Sequence, residues 1–489
     1  MRASCVLTTL YATAALAWAE TTQRTLPPRV RRAWSQHSPN EKETYISAVS
    51  LAMQKGLHHR FMEVHMEPSS EQEAHGCLFF YWHRAYLLAY ENMLRSLGPQ
   101  YSGVTLPYWD YATIGANFIA GSCKNMLTCG SLLEDFGGSL PQGPAGKMKN
   151  TVNGTTIASD NCVKSNLTSS FCQSTSAFNS NTCLGCIPRN DWSKVAVPPD
   201  VNVLSVYNNI LGTVAPTLAG VTKGIQYGTH NMVHATLNAI MGTFASPGDP
   251  VFYAHHAMVD ALHTIYYNCV VAPKPPINKG ADARTWSSCR SFNGSTIRPT
   301  DVITMKGGNA GTIPTSVWMS PHPLNPYFAS IPQLYMDYTD TTMVGDSAYS
   351  YNFTGTMLDK INQQCTKFHP SLASFLYEPN EAATSTEVTT EIAWLQDATR
   401  LASKFYTDPK DVNLQVQMML CVYYNECLGG VFDYSEEFKT SFRVTGKPPC
   451  KTIIDDLAQG DAGDAVIGVE GWESVLLKRY SCDNPSMLF

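Results

Sequence analysis

The sequence predicts a mainly α-helical fold, with one large domain that contains long loops and a smaller helical C-terminal domain. Apolar residues recur at helical spacing in several segments, which is typical of helices with one buried face. Of 489 residues, 44% are hydrophobic and 15% charged, so a large buried core is expected. Stretches rich in Pro and Gly separate the helical patterns, which predicts loops between them.

The start of the chain predicts export. Arg2 is followed by an apolar run and then by Ala17-Trp18-Ala19, the pattern of a secretory signal peptide over residues 1–19 with cleavage before Glu20. No later segment approaches twenty uninterrupted apolar residues, so no transmembrane helix is predicted. The net charge is −6 without a basic run, which makes nucleic acid and anionic membranes poor partners. A secreted protein is therefore expected.

Cysteine usage agrees with an oxidising compartment. The chain has 15 cysteines, and removal of Cys5 with the signal peptide leaves an even number, so disulfides are expected. Glycosylation would also suit a secreted chain. The four Asn-x-Ser/Thr sites that remain are Asn153, Asn166, Asn293 and Asn352.

Two helices are predicted before residue 100. The first begins at Ser38, where Pro39 suits the first turn and Glu41 completes a capping box, and it stops near Gly56. The second covers residues 78–97 and ends at a Gly-Pro pair. Residues 104–112 are short and aromatic, which predicts an extended segment or turn.

Residues 114–199 predict an irregular insertion held by disulfides. Gly, Ser, Asn and Thr dominate, and six cysteines occur here: Cys123, Cys129, Cys162, Cys172, Cys183 and Cys186. The Cys183-x-x-Cys186 pair could bind zinc, but no second such pair or nearby histidine completes a site. Disulfides to Cys162 or Cys172 are the preferred interpretation.

Helical patterns resume at residues 228–240 and 255–267, and scattered Pro and Gly predict long loops over 271–332. The pattern of the amino-acid sequence changes again after Tyr351. Residues 387–406 and 412–424 are predicted helices of a separate C-terminal domain, 352–489, whose role the sequence does not state.

The histidines are unevenly placed. Ten of the 13 fall into two windows: His58, His59, His65, His75 and His83 in the first, and His230, His234, His255, His256 and His263 in the second. His230 and His234 are four residues apart, so on a helix both rings share one face. The adjacent His255 and His256 would point about 100° apart on a helix and would not both reach one ion.

A shared metal is the better explanation of these windows. One pair of histidines four residues apart is weak evidence, and a lone histidine among aromatics is more often a core residue. Two windows that each offer three imidazoles favour Zn, Cu, Fe or Ni over Ca or Mg, which prefer oxygen. Asn231 stands where a zinc hydrolase would carry a glutamate, so copper is favoured. Asp260, four residues after His256, is the predicted hydrogen-bond partner that supports it.

These residues resemble the tyrosinase, or type 3 copper (polyphenol oxidase), family. The resemblance covers roughly residues 30–351. The matching positions are Arg60 to His65, His75-Gly76, Phe79-Phe80, Trp82-His83-Arg84, Leu87, Glu91, Leu106 to Asp110, His230-Asn231, Val233-His234, Asp249-Pro250, Phe252, His255-His256, Val259-Asp260, Tyr349 and Tyr351.

The resemblance implies a four-helix-bundle catalytic domain over residues 20–351 with two copper ions. One copper would be bound by His65, His75 and His83, and the other by His230, His234 and His256, with His255 a packing neighbour. The chain departs from the family in two ways. The interval from His75 to His83 is one residue short, and Glu73 stands where many members have a cysteine linked to the histidine. Cys77 follows instead.

The function implied is a tyrosinase: o-hydroxylation of small monophenols and oxidation of o-diphenols to o-quinones with O₂, as in melanin biosynthesis. Asn231 would orient a water that deprotonates the phenol, and Phe252 would pack the walls of the pocket. Thr243 and Phe244 lie where a gate residue is expected, and a bulky Phe244 would favour catechol oxidation alone.

Three alternatives remain open from the sequence: a catechol oxidase, an oxygen carrier resembling haemocyanin, and a secreted protein without activity. A single copper region without tandem repeats argues against the carrier, and the presence of all six ligands argues against lost activity. The C-terminal domain is hypothesised to cover the copper pocket and keep the enzyme latent. The oligomeric state stays open.

Overall fold

The computed structural model describes residues 28–140, 147–212, 216–291, 293–308, 313–364, 386–459 and 466–483. The structural statements that follow concern these residues. The predicted signal peptide and Cys365 lie outside them. No helix in the described ranges is both long and apolar enough to cross a membrane.

The first part of the chain is mainly helical, as predicted. Its helices are α1 (Pro39–Gln54), α2 (His58–Met66), α3 (Pro68–Ala74), α4 (Phe79–Ser96), α5 (Tyr111–Ile119), α6 (Ser131–Asp135), α7 (Thr175–Asn179), α8 (Val203–Leu211), α9 (Leu218–Ile225), α10 (Asn231–Leu237), α11 (Val251–Tyr266), α12 (Asn325–Phe328) and α13 (Met357–Gln364). The tail adds α14 (Thr386–Ala402), α15 (Pro409–Cys427), α16 (Glu436–Phe442), α17 (Pro449–Ala458) and α18 (Trp472–Leu477).

The strands described are short and form two-stranded pairs. They are β1 (Arg29–Arg32), β2 (Met148–Val152), β3 (Thr155–Ser159), β4 (Asn161–Val163), β5 (Ile187–Arg189), β6 (Cys289–Arg290), β7 (Thr296–Ile297), β8 (Lys306–Gly307), β9 (Thr315–Ser316) and β10 (Tyr349–Asn352). Strand β1 pairs in parallel with β10, with Arg31 opposite Tyr351. This pair ties the beginning of the first region to its end.

Helices α1 and α4 confirm the sequence predictions. Ser38 caps α1, and its side chain and that of Glu41 bond each other's backbone N–H groups, so the predicted capping box is present. Helix α4 is buried along nearly its whole length. A helix that is apolar on all sides belongs in the centre of a core, and α4 packs there against α11.

The helix predicted over residues 228–240 is interrupted in the structure. A π-helical turn over Gln226–His230 precedes α10, and α10 ends before Asn238, whose φ is 49°. Helix α11 begins at Val251, four residues earlier than predicted, because the Asp249 side chain accepts a hydrogen bond from the Val251 N–H at 3.0 Å. Such a bond satisfies an N–H group that the first turn leaves open.

The cysteine-rich insertion is held by disulfides, and zinc is excluded at the Cys-x-x-Cys pair. Cys186 pairs with Cys162 and Cys183 pairs with Cys172, which confirms the preferred interpretation. The insertion is fastened to α11 through Arg189, which donates two 2.7 Å hydrogen bonds to the Asp249 carboxylate. A bidentate, fully buried pair of this kind fixes position as well as charge.

The tail packs directly on the first region. Helix α14 contacts α5, and α15 contacts α8. Glu391 of α14 accepts a hydrogen bond from Asn202, which caps α8. One continuous cluster of buried apolar side chains spans both parts. The boundary at residues 351–352 therefore stays a prediction.

Candidate metal centre

Three histidines from three segments form the first group. His65 lies at the end of α2, His75 directly follows α3, and His83 lies in the first half of α4. The ring centroids of His65 are 5.3 Å from His75 and 5.6 Å from His83, and those of His75 and His83 are 6.0 Å apart. The sequence prediction named these three residues, and the structure brings them together.

The remaining histidines of the first window are core residues. His58 lies 2.8 Å from the Tyr90 hydroxyl and 3.0 Å from the Gly248 carbonyl oxygen, so both of its ring nitrogens have partners. His59 lies 3.1 Å from the Thr175 hydroxyl. Neither belongs to the first group, which leaves His65 as the member from α2.

The second group contains His230, His234, His255 and His256. One ring nitrogen from each lies within 4.8 Å of those from the others, and all four residues are buried. His230 is the last residue of the π-helical turn, His234 lies in α10, and the other two lie in α11. The rings of His83 and His256 stack at 4.2 Å, so the two groups adjoin.

Hydrogen bonds to the Nδ1 atoms determine which ring nitrogen can bind a metal. Nδ1 donates to a backbone carbonyl in His65 (Phe244, 2.9 Å), His83 (Phe79, 2.9 Å) and His234 (Met241, 2.6 Å). A carbonyl can only accept, so Nδ1 carries the proton and the Nε2 lone pair is free. The Nε2 atoms of His65, His83 and His230 are buried and have no partner among the described residues.

Buried nitrogens without partners are uncommon in proteins and call for an explanation. The Nε2 atoms of His234 and His256 face each other at 3.3 Å. Two ligands about 2.0 Å from one tetrahedral ion would be separated by about this distance. The donor set of the second group therefore fits one metal ion, and the first group adds the unpartnered Nε2 atoms of His65 and His83 beside it.

Burial also keeps these imidazoles neutral. It lowers the pKa of His65 and of His230 to about 4. It also lowers the pKa of His75, His83 and His256 well below the usual value, with a smaller contribution from the neighbouring rings. A neutral imidazole is the form that binds a metal. At neutral pH these histidines therefore need not be deprotonated before a metal binds.

His255 lies closer to the second group than the sequence analysis expected. The adjacent His255 and His256 were expected not to reach one ion together, but a ring nitrogen of each lies within 4.8 Å of those of His230 and His234. The ring centroid of His255 is 4.8 Å from that of His234 and 5.3 Å from that of His230, which in turn lies 5.0 Å from that of His256. The role of His255 as a packing neighbour stays a prediction. His256 faces the first group, whereas His255 faces Tyr111 at 6.0 Å.

Asp260 does not support His256 through the predicted hydrogen bond. Its carboxylate accepts hydrogen bonds from Arg84 (2.6 Å), Arg31 (3.2 Å) and the hydroxyls of Tyr349 and Tyr351 (both 2.6 Å). These donors occupy the carboxylate, and the Nδ1 of His256 has no partner among the described residues. Asp260 instead fastens α11 to α4 and to strands β1 and β10.

The predicted wall residues lie where they can shield the two groups. The Phe252 ring is 4.1 Å from that of His256 and 5.3 Å from that of His65. The Phe244 ring lies 4.8 Å from that of His75. Thr243 instead lines a neighbouring polar cleft of about 620 Å³, outside the rings. Asn231 accepts from His230 Nδ1 at 2.9 Å through its side-chain oxygen.

The tail contributes side chains that no local sequence pattern indicated. Phe442, the last residue of α16, has its ring 5.1 Å from that of His234, 5.6 Å from that of His75 and 5.3 Å from that of Phe244. The next residue, Arg443, forms an ion pair with Glu71 of α3. The hypothesis that the tail covers the copper pocket rested on domain order alone and named no residue of it.

Comparison with known proteins assigns the region that carries both groups. Residues 55–268 match the model of the common central domain of tyrosinase. The chain carries a tyrosinase-family domain. This domain contains all seven histidines of the two groups, and the tail from residue 352 lies beyond it.

Individual relatives are distant, and the first of them is matched over less than two thirds of its own length. A tyrosinase-like protein of Diaporthe leptostromiformis is 28% identical over 271 residues, which are 49% of this chain and 64% of the relative. Grixazone synthase of Streptomyces griseus is 27% identical over 270 residues, 48% of this chain and 83% of the relative. A solved polyphenol oxidase of Thermothelomyces thermophila is 19% identical, with a TM-score of 0.36 over 66% of this chain and 89% of that one.

Proposed function

We propose that the chain is a secreted copper oxidase that o-hydroxylates monophenols and oxidises o-diphenols to o-quinones with O₂, the activity of a tyrosinase. One observation carries the proposal: two adjoining groups of buried, neutral imidazoles hold the unpartnered Nε2 atoms of His65, His83 and His230 beside the facing Nε2 atoms of His234 and His256. Copper is one of the metals that imidazole nitrogens bind well in proteins.

His65, His75 and His83 would hold one copper, and His230, His234 and His256 the other. When bound, a copper pair supplies the chemistry that couples phenol oxidation to reduction of O₂. The chain's own residues fix the ligands: carbonyl oxygens hold the Nδ1 atoms of His65, His83 and His234. Outer hydrogen bonds of this kind set ring orientation and ligand basicity.

The walls of the site exclude water. Phe79 lies 4.7 Å from His230, and Phe252 lies between the two groups. A dry site strengthens the electrostatic interactions within it and limits side reactions. Asn231 holds the His230 ring through Nδ1, and we propose it as the residue that also orients a water toward the phenol.

A catechol oxidase without monophenol hydroxylation is the second candidate. The Phe244 ring lies against His75, and its backbone oxygen holds His65. A bulky side chain fixed at this place narrows the approach to the first copper, which favours substrates that are already diphenols.

We also propose that the tail keeps the enzyme latent. Phe442 contacts a histidine of each group, so a phenol cannot occupy the same space while α16 is docked. Helix α16 is held by a small apolar cluster of Tyr434, Phe438, Phe442 and Val444 that packs on Met232, Ala235 and Phe244. This cluster is separate from the main core, so α16 can leave without unfolding it.

Secretion is part of the proposal. Six disulfides among the described residues suit an oxidising compartment, and the signal-like residues 1–19 would direct the chain there. The sequons at Asn166 and Asn293 lie on the surface, where glycans could be attached.

Purified, copper-loaded protein assayed with L-DOPA and with tyrosine, before and after mild detergent, tests the activity. Quinone from both substrates supports a tyrosinase, and quinone from L-DOPA alone supports the catechol oxidase. His234→Ala is the matched inactive control. Absence of quinone from either substrate after detergent, with both coppers bound, would contradict the proposal.

A further inference from the structure

A single carboxylate lies between the first histidine group and the tail. Glu71 of α3 is 4% exposed. One of its oxygens is 3.7 Å from Nδ1 of His75, four residues further along the chain. Its other oxygen is 3.1 Å from the guanidinium of Arg443, directly after Phe442. Glu71 therefore has two candidate donors, one from the site and one from the tail.

His75 is the exception in its group. The Nδ1 atoms of His65 and His83 each donate to a carbonyl, which fixes their rings. The Nδ1 of His75 is buried and has no hydrogen-bond partner among the described residues. Its distance to the Glu71 carboxylate exceeds the usual hydrogen-bond range. A small movement of that carboxylate would complete the bond.

The backbone of Arg443 has an uncommon conformation at the point from which its side chain reaches this carboxylate. It ends α16 in the left-handed conformation, with φ 53° and ψ 39°, which residues other than glycine adopt infrequently. Its side chain is 58% exposed, whereas that of Glu71 is 5% exposed. The ion pair thus joins an exposed cation on the tail to a buried anion beside the site.

We propose that Glu71 is the positioning residue for His75 and that Arg443 competes for it. While α16 is docked, the carboxylate pairs with Arg443 and leaves the His75 ring without a partner. When α16 leaves, the buried carboxylate loses its cation and pairs with the His75 N–H, since a buried charge without a partner is strongly unfavourable. That bond directs the Nε2 lone pair of His75 toward the metal.

Helix geometry supports this exchange. The backbone N–H of His75 donates to the Glu71 carbonyl at 3.1 Å, so the two side chains leave the same turn and lie on one face. The inference rests on the proposed copper function. It adds that the tail controls the geometry of one ligand as well as access to the site.

Copper binding to the full-length apoprotein tests the inference without reference to turnover. Cu(I) is titrated against a coloured chelator for the wild type, Glu71→Leu, Glu71→Gln, Arg443→Ala and the Glu71→Leu/Arg443→Ala double variant. Arg400→Ala, which removes an exposed arginine of the tail that pairs with Asp397, is the matched control.

With mild detergent present to release α16, we expect Glu71→Leu to weaken one of the two coppers about 10- to 100-fold, the usual effect of losing a ligand's hydrogen-bond partner, and to leave the other unchanged. Glu71→Gln keeps an acceptor oxygen and should recover most of that loss. Without detergent, Arg443→Ala should tighten the same copper, and this gain should vanish when Glu71 is already leucine. Arg400→Ala should match the wild type.

In detergent, wild-type affinity for both coppers in Glu71→Leu would overturn the inference, as would equal weakening of both coppers or no recovery in Glu71→Gln. An effect of Arg443→Ala that is the same with and without Glu71 would refute the competition. If the wild type binds no copper, the proposed function fails as well. If the protein binds two coppers tightly and substitution of Glu71 changes neither affinity, this inference alone is refuted.

Discussion

Truncation of Phe442 to alanine should activate the enzyme. The Phe442 ring packs against His234 at 5.1 Å, Phe244 at 5.3 Å and His75 at 5.6 Å, and its side chain is the part of α16 that enters the pocket. The substitution both removes the obstruction and weakens the docking of α16. It leaves every candidate metal ligand in place.

The size of the effect follows from these contacts. Aromatic pairs contribute about 0.5–1.5 kcal/mol each beyond the area that they bury, and three pairs together with the buried area suggest about 3 kcal/mol. Because about 1.4 kcal/mol is a factor of ten in an equilibrium constant, the ratio of covered to open protein should fall about a hundredfold. Activity rises by the same factor until the open form predominates.

The assay is the initial rate of L-DOPA oxidation by copper-loaded protein, with and without mild detergent. We expect Phe442→Ala to match the detergent-treated wild type and to gain little from detergent. Phe405→Ala, which truncates a phenylalanine of the tail that is 47% exposed, is the control and should stay latent. Equal rates for Phe442→Ala and untreated wild type, at equal copper content, would refute the covering role of α16.

Three further predictions follow from the geometry. His256→Ala should lose one copper, whereas His255→Ala should keep two, as measured by metal analysis; the reverse result would exchange their roles. Burial raises the pKa of Glu391 to about 8, so the free energy of unfolding should fall between pH 5 and pH 8, since the unfolded chain releases this proton near its usual pKa. Glu391→Gln should abolish that component, on the order of 4 kcal/mol, in denaturant titrations at the two pH values, and an unchanged slope would contradict the burial argument. Replacing Cys77 and Cys289 by serine opens the disulfide two residues after His75 and should cost about 3 kcal/mol of stability and weaken one copper; intact copper binding would show that this loop needs no such link.

The sequence was sufficient for features that depend on local spacing. The capping box of α1, the apolar run of α4 and the placement of His230 and His234 four residues apart all specify their own structure. The two histidine groups could be anticipated because each ligand lies on or beside a predictable helix.

Features that depend on how distant segments meet could not be predicted in this way. The closeness of His255 to His230 and His234 could not be predicted, because a helical wheel of α11 takes no account of the approach of these two rings. Asp260 was predicted to support His256 because the two are four residues apart. In the structure, Arg31 and Tyr351, which are remote in sequence, donate hydrogen bonds to the Asp260 carboxylate instead. Phe442 is separated from His75 by most of the chain, and no local pattern marks it.

Copper stoichiometry tests the central claim most directly. Full-length apoprotein reconstituted with copper should hold two ions per chain, and His83→Ala and His234→Ala should each lose the ion of their own group. A wild-type chain that saturates with one copper, or a His234→Ala variant that still holds two, would contradict the account.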